Sequence, residues 1–387
     1  MSMKFYAELP QEYQGFIYSK EGENIMPNVY AVIMAGGVGA RFWPRSREKS
    51  PKQLLEIFGN STMIFNTVKR LDNIIDRQNI LIVTNKIQKP LVAKQLPSIA
   101  GDNIIVEPVG RNTAPCIGLS ALFLRRIDPD AIMVVLPADH IIQDEEEFHK
   151  VLRLAIWVAY ESGKLITVGI HPTRPETGYG YIQFEDTDNR KNPYFSRGVY
   201  SVKTFAEKPN EETAKRFLRS GDFVWNSGMF IWKVDTILNE IKKSLPEMYD
   251  ELMKIDAAIG TEKYDQTLEL AYKLIRRISI DYGVMEKAQD VFVIKGNFGW
   301  SDVGSWDEVY RLSGKDESGN SVTGKVFLQN TKNALIYSQN KFVASIGIED
   351  VIIINTDDAL LVCKLGDSQD VKEVVDYLKR KQMNEYL

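Results

Sequence analysis

Cysteine and histidine are scarce in this chain. Its 387 residues include two cysteines, Cys116 and Cys363, and three histidines. Two thiols far apart in sequence give no disulfide framework and fit a reduced, cytoplasmic setting. No G-x-S-x-G segment occurs, and no Cys/His pair stands in a nucleophile motif. Excess positive charge is also lacking. The net charge of −4 argues against a general nucleic-acid binder. Long apolar runs are missing too; "AIMVVL" typifies the longest, far short of a membrane span. Residues 1–27 carry Glu8, Glu12, Glu21 and Glu23 and no apolar core, so they do not read as a signal peptide. They are set apart as an N-terminal extension. What remains, 44% hydrophobic and 26% charged, is ordinary for a globular protein.

The body alternates strand and helix signals. "VYAVIMA" (29–35), "ILIVT" (80–84), "NIIVE" (103–107), "AIMVVLP" (131–137) and "LITVGI" (165–170) are near-continuous apolar runs. Such runs suit parallel strands covered on both faces. Helices are expected after "GNS" (59–61), over 113–126 and over 145–162. This pattern predicts an α/β fold with a doubly wound, mixed and mainly parallel sheet. Beyond Gly178 the strands are of mixed character, with helices near 210–219, 234–256 and 264–277 and a strand at 291–296. The turn-rich segment 313–325 reads as a boundary between a main domain, 28–315, and a small β-rich module, 316–387, ending in a helix over 368–381.

Ligands of such sheets sit beyond the carboxyl ends of the strands. The stretch "AGGVGARFWPRSREKSPKQ" lies at such an end and holds five cations, Arg41, Arg45, Arg47, Lys49 and Lys52. It fails the dinucleotide fingerprint, because Phe42 stands where the third glycine belongs. It also fails the Walker pattern, because Ala40 and Arg41 follow Gly39. The physics is nonetheless that of a phosphate site: bare backbone N–H groups and cations facing an anion. "LPADH" ends another strand. Asp139 there suits a Mg2+ ligand or a helix cap equally, and His140 suits a structural role in the loop.

Eight ordered segments resemble the sugar-1-phosphate nucleotidyltransferases, specifically the bacterial mannose-1-phosphate guanylyltransferases. They are "MAGGVGARFWPRSREKSPKQ" (34–53), "EPVGRNTAPC" (107–116), "LPADH" (136–140), "ETGYGYI" (176–182), "FAEKP" (205–209), "NSGMF" (226–230), "SIDYGVMEK" (279–287) and "WSDVGSW" (300–306). The resemblance runs from about residue 28 to the C-terminus. It implies a Rossmann-like nucleotidyltransferase domain, a short left-handed β-helix as the C-terminal module, and a homodimer. It implies transfer of GMP from GTP to mannose 1-phosphate. Relatives with a fused isomerase domain carry a histidine-rich site, whereas here His171 is the last histidine, so no isomerase activity is expected.

The resemblance also implies roles. Arg41 steadies the β- and γ-phosphates and Lys52 lies near the α-phosphate. Asp139 and Asp302 are the carboxylates for Mg2+. Ala35, Gly36, Gly37, Gly39, Glu107, Arg111, Asn112 and Thr113 are expected to bind the nucleotide, with Glu107 accepting from guanine. Tyr179, Gly180, Glu207, Lys208 and Asn226 are expected to hold the sugar phosphate, Lys208 reaching the phosphate and taking a catalytic role with Arg41, Lys52 and Asp139. Asp281 and Tyr282 suit structural hydrogen bonds. Trp225, Trp300 and Trp306 suit either the core or a pocket wall. Arg45 and Arg47 stay unassigned. Two other readings remain: a different sugar 1-phosphate such as glucose 1-phosphate, or a non-catalytic nucleotide-sugar-binding regulator. The second need not retain the cations and carboxylates together.

Overall fold

A computed structural model describes residues 28–187 and 192–387. The N-terminal extension, 1–27, lies outside the described residues. The apolar runs form the expected strands: β1 (Val29–Met34), β2 (Ile80–Asn85), β3 (Ile104–Glu107) and β4 (Ile132–Pro137). All pair in parallel, in the order β3-β2-β1-β4. Covering helices explain why these strands are apolar on both faces. α1 (Met63–Lys69), α2 (Lys89–Gln95) and α4 (Glu145–Ser162) belong to one side; α3 (Thr113–Ile127) belongs to the other. Each buried Ile, Val or Leu contributes roughly 1.5–3 kcal/mol of transfer free energy, and both cores are built mainly from such side chains. Local chemistry sets α4. Asp144 caps its first turn by accepting from Glu147 N–H at 3.0 Å, and Gly163 ends it in the left-handed region.

The other half of the sheet is mostly antiparallel. It comprises β5 (Leu165–Ile170), β6 (Gly180–Phe184), β7 (Val199–Glu207), β8 (Phe223–Lys233) and β9 (Val291–Gly296). β8 is long enough to pair with β4 and β5 at one end and with β6 at the other, so β5, β8, β6, β7 and β9 close on themselves. Between these strands α5 spans Glu211–Ser220. The helical run expected over 234–256 is two helices, α6 (Val234–Ser244) and α7 (Pro246–Ala258). Pro246 has no N–H to continue α6 and instead opens the next helix. α8 stops at Leu274 (Tyr264–Leu274), short of the expected end at 277.

A short helix, α9 (Trp306–Leu312), leads into the C-terminal module. There β10 (Ser321–Thr323), β12 (Leu335–Ser338) and β14 (Val351–Asn355) stack in parallel, as do β11 (Val326–Gln329) and β13 (Val343–Ile346). The chain thus coils between two parallel sheets around Ala334, Ile336 and Ile353. β15 (Leu360–Lys364) adds an antiparallel edge, and α10 (Val371–Arg380) follows. α10 packs back onto the main domain: Val371 and Val375 share a core with Phe42, Trp43 and Trp306.

Candidate active site

The loop after β1 is shaped by backbone needs. Gly39 has φ 75°, and a Cβ there would come 2.5 Å from Lys52 Cβ, so glycine is required twice over. Beneath the loop, buried Gln53 donates to Ala35 O at 2.8 Å and Gly37 O at 2.9 Å, and Thr84 donates to Ala35 O at 3.0 Å. Ser46 closes the turn by donating to Gly39 O at 2.6 Å. With the carbonyls of this turn engaged by protein donors, Gly36 and Gly37 line the cleft.

Lys52 is not a solvated loop lysine. Its side chain is 6% exposed, and Nζ donates to Asp139 Oδ2 at 2.8 Å and Asp302 O at 2.6 Å. Burial pushes the Asp139 carboxyl up, but Lys52 beside it wins and holds it below its usual value. Asp302 is raised, chiefly by burial and further by the charge of Asp139, although Tyr179 donates to its Oδ1 at 2.7 Å. Two carboxylates that repel one another across a cleft, with a single lysine between them, are a donor set suited to a hard dication that takes further oxygens from phosphate. Among the described residues, no cluster of three or more His, Cys, Asp or Glu exists to form an all-protein cage. His140 accepts from Trp300 Nε1 at 3.1 Å through Nδ1, and burial lowers its pKa to about 4. It is a neutral ring holding the loop.

The cleft has two lobes that share Asp139, His140 and Asp302. The larger, about 490 Å³, runs from Gly36, Gly37, Glu107, Asn112 and Thr113 to Tyr179, Gly180, Glu207, Asn226 and Asp281. The smaller, about 360 Å³, is lined by Gly39, Ala40, Arg41, Phe42, Lys52, Gly304 and Lys372 in addition to the shared residues. Glu107 is 5% exposed; burial raises its pKa to about 7, against the pull of the Tyr272 hydroxyl donating at 3.1 Å. On the far side, β6 and β7 place Gly180 opposite Glu207, and a Cβ on Gly180 would strike Glu207 Oε2. Asn226 donates to Asp281 Oδ1 at 2.7 Å; burial, then the charge of Glu207, raises Asp281 to about 6. Tyr179 stacks edge-on against Trp225 and Trp300, each with centroids 5.2 Å away, and Trp300 lines the cleft while Trp225 is core.

Three residues expected at the site stand apart from the lining. Ala35 is buried under the loop, its N–H donating to Val83 O at 2.8 Å and its carbonyl accepting from Gln53 and Thr84. The Arg111 guanidinium donates to Tyr272 O at 2.8 Å, turned toward the end of α8. Lys208 is largely exposed and pairs with Glu207. Tyr282 is likewise exposed. Arg45 and Arg47 turn to the C-terminal module. Arg45 sits 4.1 Å from the Tyr337 ring centre, and Arg47 pairs with Asp358 at 2.9 Å. Asn112, Lys208 and Val303, beside Thr113, Glu207 and Asp302, all adopt left-handed φ, a strain that clusters at functional sites. Sequence reasoning does not single out Gln53, Tyr272, Arg277 or Lys372. Only Gln53 lies in one of the family-like segments; the others arrive through tertiary contact.

Residues 30–319 match the family described as nucleotidyl transferase, and residues 324–378 match the MannoseP isomerase/GMP-like beta-helix domain. A Klebsiella pneumoniae protein named mannose-1-phosphate guanylyltransferase is 42% identical over 360 residues, covering 92% of this chain and 75% of that protein. Mannose-1-phosphate guanylyltransferase RfbM of Salmonella typhimurium is 43% identical over 360 residues, covering 92% and 73%. A Thermus thermophilus structure described as a mannose-1-phosphate geranyltransferase superposes with a TM-score of 0.80 at 33% identity, spanning 91% of this chain and 99% of that one.

Proposed function

The chain belongs to the nucleotidyl transferase family, and within it to the mannose-1-phosphate guanylyltransferases; from that premise we propose how its two-lobed cleft transfers GMP from GTP to α-D-mannose 1-phosphate. A phosphate oxygen of the sugar phosphate attacks the α-phosphorus of GTP. The bond from that phosphorus to the bridging oxygen breaks, giving GDP-mannose and diphosphate. A phosphate monoester has its second pKa near 6, so the nucleophile is ionised near neutral pH and no general base is needed. The demand on the protein is to bring two anions together and to stabilise the leaving group.

The observation that carries this reading is the junction of the two lobes. Lys52 is fixed there to Asp139 and to the backbone of Asp302. In this reading the larger lobe takes guanosine and mannose, and the smaller takes the β- and γ-phosphates. Glu107 accepts from guanine N1–H and the 2-amino group, and Gly36 and Gly37 let backbone approach the phosphates. Glu207 and Asn226 offer acceptor and donor groups to sugar hydroxyls. Arg41 is exposed at the smaller lobe and, among the described residues, makes no protein hydrogen bond or ion pair. It is therefore free to meet the leaving group. Lys208, paired with Glu207 at the cleft's rim, neutralises the incoming sugar phosphate. Asp139 and Asp302 would hold Mg2+, which would supply Lewis acidity to the phosphates.

The test is diphosphate release by the purified protein supplied with GTP, Mg2+ and mannose 1-phosphate. Turnover that needs all three supports the reading. Binding of GDP-mannose without any turnover would instead favour a nucleotide-sugar-binding regulator.

A further inference from the structure

The smaller lobe receives one side chain from outside the main sheet. Lys372, the second residue of α10, lines it together with Arg41, Lys52, Asp139 and Asp302. α10 is held over the glycine loop by several independent anchors. Val371 and Val375 pack in the core that contains Phe42 and Trp43. Ser368, just before α10, accepts from Asp307 N–H at 2.9 Å. Trp43 Nε1 donates to Tyr386 O, just beyond α10, at 3.0 Å. Arg47 adds its pair with Asp358. The helix therefore has little freedom to leave the lobe.

Charge decides what Lys372 does there. Lys52 is already committed to Asp139 and to the Asp302 carbonyl. Lys372 is exposed and, among the described residues, has no protein hydrogen bond or ion pair. Two uncommitted cations, Arg41 and Lys372, thus border one lobe beside two carboxylates. A dication held by those carboxylates would not by itself neutralise a triphosphate, and a flexible ammonium suits a phosphate group whose position changes as it leaves. We infer that Lys372 binds the β- and γ-phosphates of the nucleotide and the departing diphosphate alongside Arg41, so that the C-terminal module completes the phosphate lobe. This rests on the nucleotidyl-transfer reading given above.

Steady-state kinetics of the full chain test it with Lys372→Ala, Lys372→Arg and Lys379→Ala, the last removing a lysine from the final turn of α10. Lys372→Ala raises KM for GTP, and KM for diphosphate in the reverse direction, roughly three- to tenfold. KM for mannose 1-phosphate and the melting temperature stay at wild-type values. Lys372→Arg restores most of the loss, and Lys379→Ala changes nothing. Wild-type KM values for GTP and diphosphate in Lys372→Ala overturn the assignment. So does an equal rise in KM for mannose 1-phosphate with a lowered melting temperature, which marks a structural role. If the wild-type protein turns over no substrate, it is the underlying reading that fails. Calorimetric GTP binding without sugar phosphate then still decides Lys372, since an unchanged Kd in Lys372→Ala counts against it.

Discussion

Glu107, proposed above to accept from guanine, shows what burial does to a single acid. Its acid is raised to about 7 by desolvation, well above an ordinary glutamate. Only the carboxylate offers two acceptors to guanine. As pH rises through about 7 the group ionises and GTP binding tightens, so KM for GTP is expected to fall between pH 6 and 8. The same ionisation opposes folding of the empty protein. A raised pKa means the folded state holds the proton more tightly, so stability contributed by the neutral acid is lost as pH climbs through about 7. Glu107→Gln removes this pH dependence and raises KM for GTP by about one to two orders of magnitude, because an amide N–H faces a guanine donor. A KM for GTP that stays flat with pH in the wild type, or is unchanged in the variant, contradicts the role. At Asp139 the expected loss is in turnover. Asp139→Asn lowers kcat by about two to three orders of magnitude while metal-free GTP binding changes little. Wild-type-like turnover in that variant removes Asp139 from the mechanism.

At the scale of elements, the strands are readable because burial on both faces forces continuous apolar runs, as in β1 and β4. What the pattern hides are short or interrupted pieces. α2 and α9, seven residues each, are not among the helices the sequence pattern predicts. The break at Pro246 is visible as a residue but sits inside an otherwise helical stretch. The glycine loop shows the same division. The expectation of an anionic ligand there follows from residue types alone. That Arg45 and Arg47 serve the C-terminal module does not, because Tyr337 and Asp358 are remote in sequence. The girder of the loop, Gln53, is likewise a tertiary fact. Gln53→Ala leaves the buried carbonyl of Ala35 with one donor fewer and frees Gly37. Each lost partner costs about 1–3 kcal/mol when the acceptor stays buried. Thermal unfolding should register a lower melting temperature, and KM for GTP should rise as the loop relaxes. A variant with wild-type values of both would show that the loop holds its shape without Gln53.

For the whole molecule, the α/β fold and the small β-rich module are both legible, the first from periodicity and the second from closely spaced short strands. The packing of the module against the cleft is not. The chain's turn-rich stretch before β10 marks a change of architecture, yet the apolar core around Trp306 crosses it and ties α10 to Phe42 and Trp43. Most residues expected at the site line the two lobes, whereas Arg111 and Lys208 do not line them with their side chains, since solvent and distant carbonyls compete for long cations in ways no motif encodes. No helix among the described residues is long and apolar enough to cross a membrane. The proposed activity depends on the pairing of two substrates in one cleft. The most direct measurement is diphosphate release across a panel of nucleoside triphosphates and sugar 1-phosphates with Mg2+. GTP with mannose 1-phosphate should give the highest kcat/KM. A higher value with another nucleotide, with glucose 1-phosphate, or no release with any pair would contradict it.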